Sequence, residues 1–393
     1  MIFNEIWYAL FLIPAVIVFH LVPVRWRPWV LVLAGTAFYG YYARVFLVLI
    51  AVEIVFVWLL TREIQQQKWM FGFALAITLG ALGYFKYRNM LVLTGAGLAD
   101  LLGWHYSPAV SQLVLPLAIS FFTFEFVHYL VDCRKGTIPP HHLVDFLAFA
   151  MFFPTMVAGP IKRFQDFHPR VAGARLNAGD LSGGFSRILV GLLRKIVIAD
   201  TLDFWTRNMV GEVHIMTGPT LWLAIFAYSL KIYMDFAGYS DIAIGSARLF
   251  GIKVPENFLQ PYFKRNIAEF WKAWHVSLYK WIVDYVFIPL GGSRCSTRRA
   301  IFNTLVAMSA SGLWHGAAWN FVIWGFYHGL LLSGYRVFRQ SKLAFVPKSR
   351  AGRLAAGAAS TALTFFLVTV GWLFFVMPVE ALAVAIPKMF WPW

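Results

Sequence analysis

Residues 311 to 320 read SGLWHGAAWN and set a titratable histidine, His315, between Trp314 and Gly316 at the end of an apolar segment. An ionisable side chain at membrane depth is expensive and marks a functional site by default. A neutral imidazole can also pack like an aromatic ring against a carbonyl, so His315 alone decides little. A second Trp-His pair lies in EFWKAWHVSLYKW, where His275 stands among Trp271, Trp274 and Trp281. Tryptophans at helical spacing suffice for an interfacial belt; only the histidine goes beyond one. A third polar concentration, KIYMDFAGYSDIAIG, puts Asp235 and Asp241 on either side of Gly238 and Ser240. Its glycines permit a helix break and close backbone approach. The two acids could orient or charge a histidine, while Asp241 also suits the cap of a following helix, the favoured reading.

Other chemistries fail on spacing. Glu125 and His128 form a Glu-x-x-His pair, but a di-iron bundle needs a second such pair and two further glutamates, and the chain has no other Glu-x-x-His. There is no His-Glu-x-x-His, Walker loop or Gly-x-Ser-x-Gly. Cys133 and Cys295 have no metal or redox spacing. No metal and no bound cofactor are therefore expected. Two intramembrane histidines without an activated Ser or Cys point to general-base work on an acceptor that supplies its own nucleophile. The competing class is a proton-relaying channel or transporter, which predicts broken helices in two related halves. The sequence shows no such symmetry.

The elements that must hold these residues are membrane helices. Of 393 residues, 60% are hydrophobic and 13% charged, with 17 Trp and 38 Phe, outside the usual soluble range. Apolar runs of spanning length predict an all-α polytopic protein of about 10 to 12 membrane-embedded helices, some re-entrant, around a buried funnel. Those runs include Ile6 to Val22, Leu113 to Val131, Val144 to Ala158, Leu221 to Ala237, Ile267 to Leu290 and Leu354 to Met377. The first run has no basic residues before it and no cleavage site, so it reads as a retained helix. A single membrane domain over residues 1–393 is expected, with its weakly hydrophobic stretches at Arg88 to Gln112, Lys162 to Leu181 and Lys253 to Asn266. The first ~110 residues read as plain lipid-facing material.

The net charge of +16 lies in short loops beside the apolar runs, which suits topology rather than nucleic acid. Arg25, Arg27, Arg62 and Lys68 place the N-terminus outside and these loops in the cytoplasm. The basic stretches Arg294 to Arg299 and Arg336 to Arg353 then share that side, so Ile301 to Tyr335 must enter the membrane and return as a hairpin. A helix from Ala300 to His315 climbs about 22 Å, which carries His315 well inside the bilayer.

The stretches ISFFTFE (Ile119 to Glu125), FFPTMVAGPIKRF (Phe152 to Phe164), YMDFAGYSDIAIG (Tyr233 to Gly245), Glu256 to Arg294 and SGLWHGAAWNFVIWGFYHG (Ser311 to Gly329) resemble the membrane-bound O-acyltransferase family. The likeness covers about Leu117 to Leu330, in the bacterial branch of alginate O-acetyltransferases and teichoic acid D-alanyltransferases. The ending Ile288 to Arg294 looks more like the alginate type. Two departures stand out: Lys272 and Ala273 replace the usual basic pair before Trp-His, and much of the longer C-terminal region of alginate-type members is missing.

The resemblance implies a multi-pass enzyme of the bacterial inner membrane. It implies a catalytic base at His315, a second active-site residue at His275, and a further matching histidine at His328, for which packing is the favoured role. The implied donor is a cytoplasmic thioester, acyl-CoA or an acyl carrier protein. The implied acceptor is a surface polysaccharide or an extracytoplasmic relay protein, with acetyl as the expected acyl group and D-alanyl transfer as the alternative.

Overall fold

The computed structural model describes residues 5–105, 108, 110, 113–341 and 347–391. It is helical throughout; among the described residues the one extended pairing is a single bridge between Phe258 and Trp274. The far end of the Arg88 to Gln112 stretch and residues 342–346 of the Arg336 to Arg353 stretch lie outside the described residues.

The chain forms two compact units, Met1–Leu189 with Asp241–Pro255, and Val190–Ser240 with Glu256–Trp393. In the first unit, helices α1 (Ile6–Leu21), α2 (Arg27–Ala43), α3 (Leu47–Leu60), α4 (Lys68–Leu82) and α5 (Arg88–Leu101) carry many exposed apolar side chains. Leu33, Val48 and Leu91 are 66%, 71% and 67% exposed, as side chains in contact with hydrocarbon must be. Continuous helical segments Val24–Leu60, Lys68–Leu101 and Arg350–Val376 are long and apolar enough to cross a membrane. The Arg88 to Leu101 part of a stretch read as weakly hydrophobic is thus helical, continuing α4 through a π turn at Gly83–Tyr87.

Two expected spans are interrupted. Helix α6 (Ile119–Arg134) begins six residues after Leu113, because Pro116 and the left-handed Ala118 (φ 59°) keep the preceding chain out of helix. The Val144 to Ala158 run is α7 (Leu143–Ala150), a break, and the single turn α8 (Phe153–Met156) started by Pro154. Beyond it, α9 (Phe164–Gly173) is stitched to one face of α6. Lys162 pairs with Glu125, the Phe164 amide donates to His128 Nε2 at 3.4 Å, and Gln165 Nε2 donates to Asp132 Oδ2 at 2.9 Å. His128 Nδ1 in turn meets the Phe124 carbonyl at 3.2 Å, which fixes the proton on Nδ1. Glu125 and His128 thus fasten the segment around Lys162 and Phe164 to α6.

In the second unit, α10 (Ala178–Leu192), which enters from the first, passes through a π-helical stretch, Leu193–Ala199, into α11 (Asp200–Thr206). Helix α12 (Gly218–Leu249) is unbroken. This corrects two readings: Asp241 lies within the helix and does not cap one, and Gly238 does not break it. A Cβ at Gly238 would stand 2.7 Å from the Gly191 carbonyl, so glycine serves close packing there.

The Ile267 to Leu290 run is likewise no single helix. It is α13 (Ile267–Trp271), a bend, then α14 (Val276–Ile282) with a π-helical tail, Val283–Phe287. The expected hairpin is present as α15 (Thr297–His315) and α16 (Trp319–Gln340), joined through Gly316 to Ala318. Its arms meet at glycines: a Cβ on Gly312 would stand 2.0 Å from the Phe321 carbonyl, and one on Gly325 2.2 Å from that of Met308. Helices α17 (Arg350–Val376) and α18 (Val379–Phe390) complete the unit.

Candidate active site

His315 is the last residue of α15, where Gly316 turns the chain out of the helix. Its ring meets Trp324 of α16 at 5.2 Å and Phe375 of α17 at 5.2 Å, both nearly edge-on. Trp314 lies 4.9 Å away. Trp314 also neighbours His275, whose ring centroid is 5.9 Å from its own. The two imidazoles thus share one indole neighbour and lie within about 11 Å of each other.

His275 occupies the bend between α13 and α14 with φ 45° and ψ 55°, the left-handed region that a non-glycine residue enters at a cost of about 1–2 kcal/mol. It is 1% exposed, and its ring stands edge-on to Phe236 of α12 at 4.6 Å. Among the described residues neither ring nitrogen has a hydrogen-bond partner. The surrounding turn is instead held by main-chain bonds: Val276 N to the Asn257 carbonyl at 2.9 Å, and Leu259 N to the Ala273 carbonyl at 2.9 Å. Asn266 caps α13 by accepting from Glu269 N at 2.9 Å.

The remaining sequence candidates are elsewhere engaged. Asp235 lies 3.1 Å from Lys195, which also pairs with Asp200. Asp241 accepts from Arg187 Nε at 2.6 Å. Both acids serve ion pairs. His328 is fully buried against Trp271, Trp324 and Tyr327, at 5.1, 5.1 and 5.4 Å. A Cβ at Gly371 of α17 would stand 2.6 Å from its Nε2, so backbone closes that side of the ring.

A cavity of about 410 Å³ opens beside α14, α15 and α16. Its apolar walls include Tyr279, Ile282, Met308 and Leu332, and its polar end carries Ser293, Arg336 and Arg339. The loop at that end turns through Gly291 and Gly292 at φ 113° and 58°. It is pinned where buried Asn303 donates to the Gly292 carbonyl at 3.1 Å and Arg336 donates to Ser293 Oγ at 2.7 Å. Met308 is seven residues before His315 on α15, about 10 Å along the axis. A lining that joins apolar side chains to two guanidinium groups suits an extended, phosphate-bearing arm: guanidinium groups bind phosphate through charge-assisted, often bidentate, bonds. The sequence reading missed this cavity and the role of Asn257. The residues of both were in quoted motifs, but nothing in their types distinguishes a wall or a tether from packing.

The model of MBOAT, the membrane-bound O-acyltransferase family, matches residues 66–377, beyond the Leu117 to Leu330 likeness on both sides. The probable alginate O-acetylase AlgI of Azotobacter vinelandii is 34% identical over 375 residues, covering 91% of this chain and 71% of that protein. The peptidoglycan O-acetyltransferase of Helicobacter pylori is 31% identical over 383 residues, covering 88% and 70%. The teichoic acid D-alanyltransferase of Bacillus subtilis is 31% identical over 328 residues, covering 75% and 80%. With both histidine segments and the cavity walls inside the matched stretch, the chain belongs to the membrane-bound O-acyltransferase family and is a membrane acyltransferase.

Proposed function

We propose that the enzyme moves an acetyl group from a cytoplasmic phosphopantetheine thioester, on CoA or a carrier protein, to a hydroxyl on the far side of the inner membrane. The acceptor is a surface polysaccharide or an extracytoplasmic relay protein. The observation that carries this reading is the pair of imidazoles flanking Trp314, one of them with its ring nitrogens unspent by the fold. The thioester arm enters past Arg336 and Arg339. His315 accepts the proton of the acceptor hydroxyl as its oxygen bonds to the thioester carbonyl carbon. The tetrahedral intermediate collapses with cleavage of the carbon–sulfur bond, and the leaving thiolate takes the proton from the imidazolium. His275 donates a hydrogen bond to the acceptor or to the developing oxyanion.

D-alanyl transfer is the second reading, favoured by the Bacillus subtilis relative. Against it, among the described residues those that line the cavity include no carboxylate to meet an alanyl ammonium. The N-terminus faces outward in this scheme and the Arg298 and Arg350 loops face the cytoplasm. Cysteines placed at those two positions react with an impermeant thiol reagent only after the inner membrane is breached.

The deciding experiment gives purified protein in vesicles [14C]acetyl-CoA or a [14C]acetylated carrier protein and follows label into acceptor. His315→Ala purifies like the parent and loses at least about 10² in rate, the lower bound of general-base assistance. Retention of more than about a tenth of parental transfer excludes that role.

A further inference from the structure

We infer that Asn257 is a positioning residue for the transfer reaction, acting by holding His275 in its left-handed conformation; this rests on the role given to His275 above. Asn257 is fully buried in the loop that follows α12, and it bonds to both residues immediately after the bend. Its carbonyl accepts from Val276 N at 2.9 Å, and its Oδ1 accepts from Ser277 Oγ at 2.6 Å. Its Nδ2 donates to Ser240 Oγ at 3.1 Å.

Ser240 is one helical turn beyond Phe236 on α12, so the two side chains share a face. Phe236 is the ring that stands against His275 at 4.6 Å. One amide therefore ties the start of α14 to the same face of α12 that flanks the imidazole. Only a side chain that both donates and accepts at this length makes both bonds.

A backbone conformation that a histidine adopts at a cost persists where its surroundings over-determine it, and such sites cluster where geometry matters to function. Among the described residues His275 has no ring hydrogen bond to account for its placement. Its aim is set from outside, by the clamp on residues 276 and 277. Neither Asn257 nor its serines touch the reacting atoms; they act through His275.

The test is a double-mutant cycle on single-turnover transfer, using whichever of [14C]acetyl-CoA or the [14C]acetylated carrier protein the parent consumes. Asn257→Ala lowers the transfer rate about 10- to 100-fold, the scale of an ångström-sized misplacement, with the thioester concentration at half-saturation unchanged within about twofold. In a His275→Ala background, whose residual rate rests on His315, the same substitution costs less than about twofold further, because coupled residues are not additive. If Asn257→Ala does not purify like the parent, Ser277→Ala and Ser240→Ala each remove one of the bonds to the Asn257 amide and carry the same cycle.

Losses that multiply across the cycle, or parental rates in Asn257→Ala or in both serine variants, overturn the inference. A fully active His275→Ala overturns the underlying role of His275 itself, and the two failures are told apart by that single variant.

Discussion

Gly325→Ala tests whether the hairpin's close approach is what sets the position of His315. A Cβ at residue 325 would stand 2.2 Å from the Met308 carbonyl oxygen and 2.9 Å from Ser309 Cα, both backbone atoms that cannot swing aside. Ordinary contact begins at 3.4 Å, so α15 and α16 must part there by about 1.2 Å. Met308 is two helical turns below His315 on a rigid helix, so most of that displacement reaches the imidazole. Overpacking of this kind costs about 1–3 kcal/mol, and an ångström of misplacement costs about 10² in rate. The control is on the same helix: Gly334 has nothing within 4 Å of an added Cβ. Gly334→Ala gains up to about 1 kcal/mol of helix propensity and disturbs no contact. The assay pairs transfer of [14C]acetyl thioester with thermal unfolding in detergent. Gly325→Ala loses about two orders of magnitude in transfer while remaining folded, and Gly334→Ala matches the parent. Parental transfer in Gly325→Ala, or an equal loss in both, refutes the hairpin argument.

Arg336→Ala, by removing a charged donor worth about 1.5–3 kcal/mol to a phosphate, raises the half-saturating thioester concentration at least tenfold and leaves the saturated rate unchanged. A fall in the saturated rate alone removes the cavity mouth from donor binding. Glu125→Gln strands the buried Lys162 ammonium and costs about 3–5 kcal/mol of stability, whereas Glu125→Leu with Lys162→Met recovers most of it; thermal unfolding of the three variants checks this, and an equally unstable double variant contradicts it. His328→Leu keeps more than half of parental transfer and unfolds no earlier, since replacing an unbonded buried polar ring by an apolar group of similar size is neutral or stabilising; a tenfold loss of transfer in a folded protein gives His328 a part in the reaction.

The hairpin was legible from charge and length together: if two basic loops are read as sharing one side, Ile301 to Tyr335 has no course but in and back, and the chain does turn between α15 and α16. The bend at His275 was not legible. No residue type announces a left-handed non-glycine, and the tether that imposes it starts at Asn257, 18 positions upstream. Asp241 misled for a related reason. Asp after glycine and serine reads locally as a cap, but Arg187 on α10 offers it a partner at 2.6 Å that lets the helix run on. Pattern reading sees neighbours in sequence, and these three outcomes differ by how far away the deciding partner lies.

The polar residues buried in this chain sort by whether the fold uses up their hydrogen-bonding capacity. Glu125, His128 and Asp132 are spent on Lys162, Phe164 and Gln165, and Asp241 on Arg187. A polar group left unbonded in a low-dielectric interior costs about 1–3 kcal/mol, so the chain has reason to satisfy each one, and for these it does. Among the described histidines, His275 and His328 keep both ring nitrogens unbonded. What separates the two is space and strain. Backbone at Gly371 closes on the Nε2 of His328, whereas His275 is held in a costly conformation, beside the indole that it shares with His315. An unspent donor in a strained and deliberately tethered bend is the arrangement expected of a group whose partner arrives with the substrate, and that is the physical ground for placing the chemistry at His275 and His315 and the packing at His328.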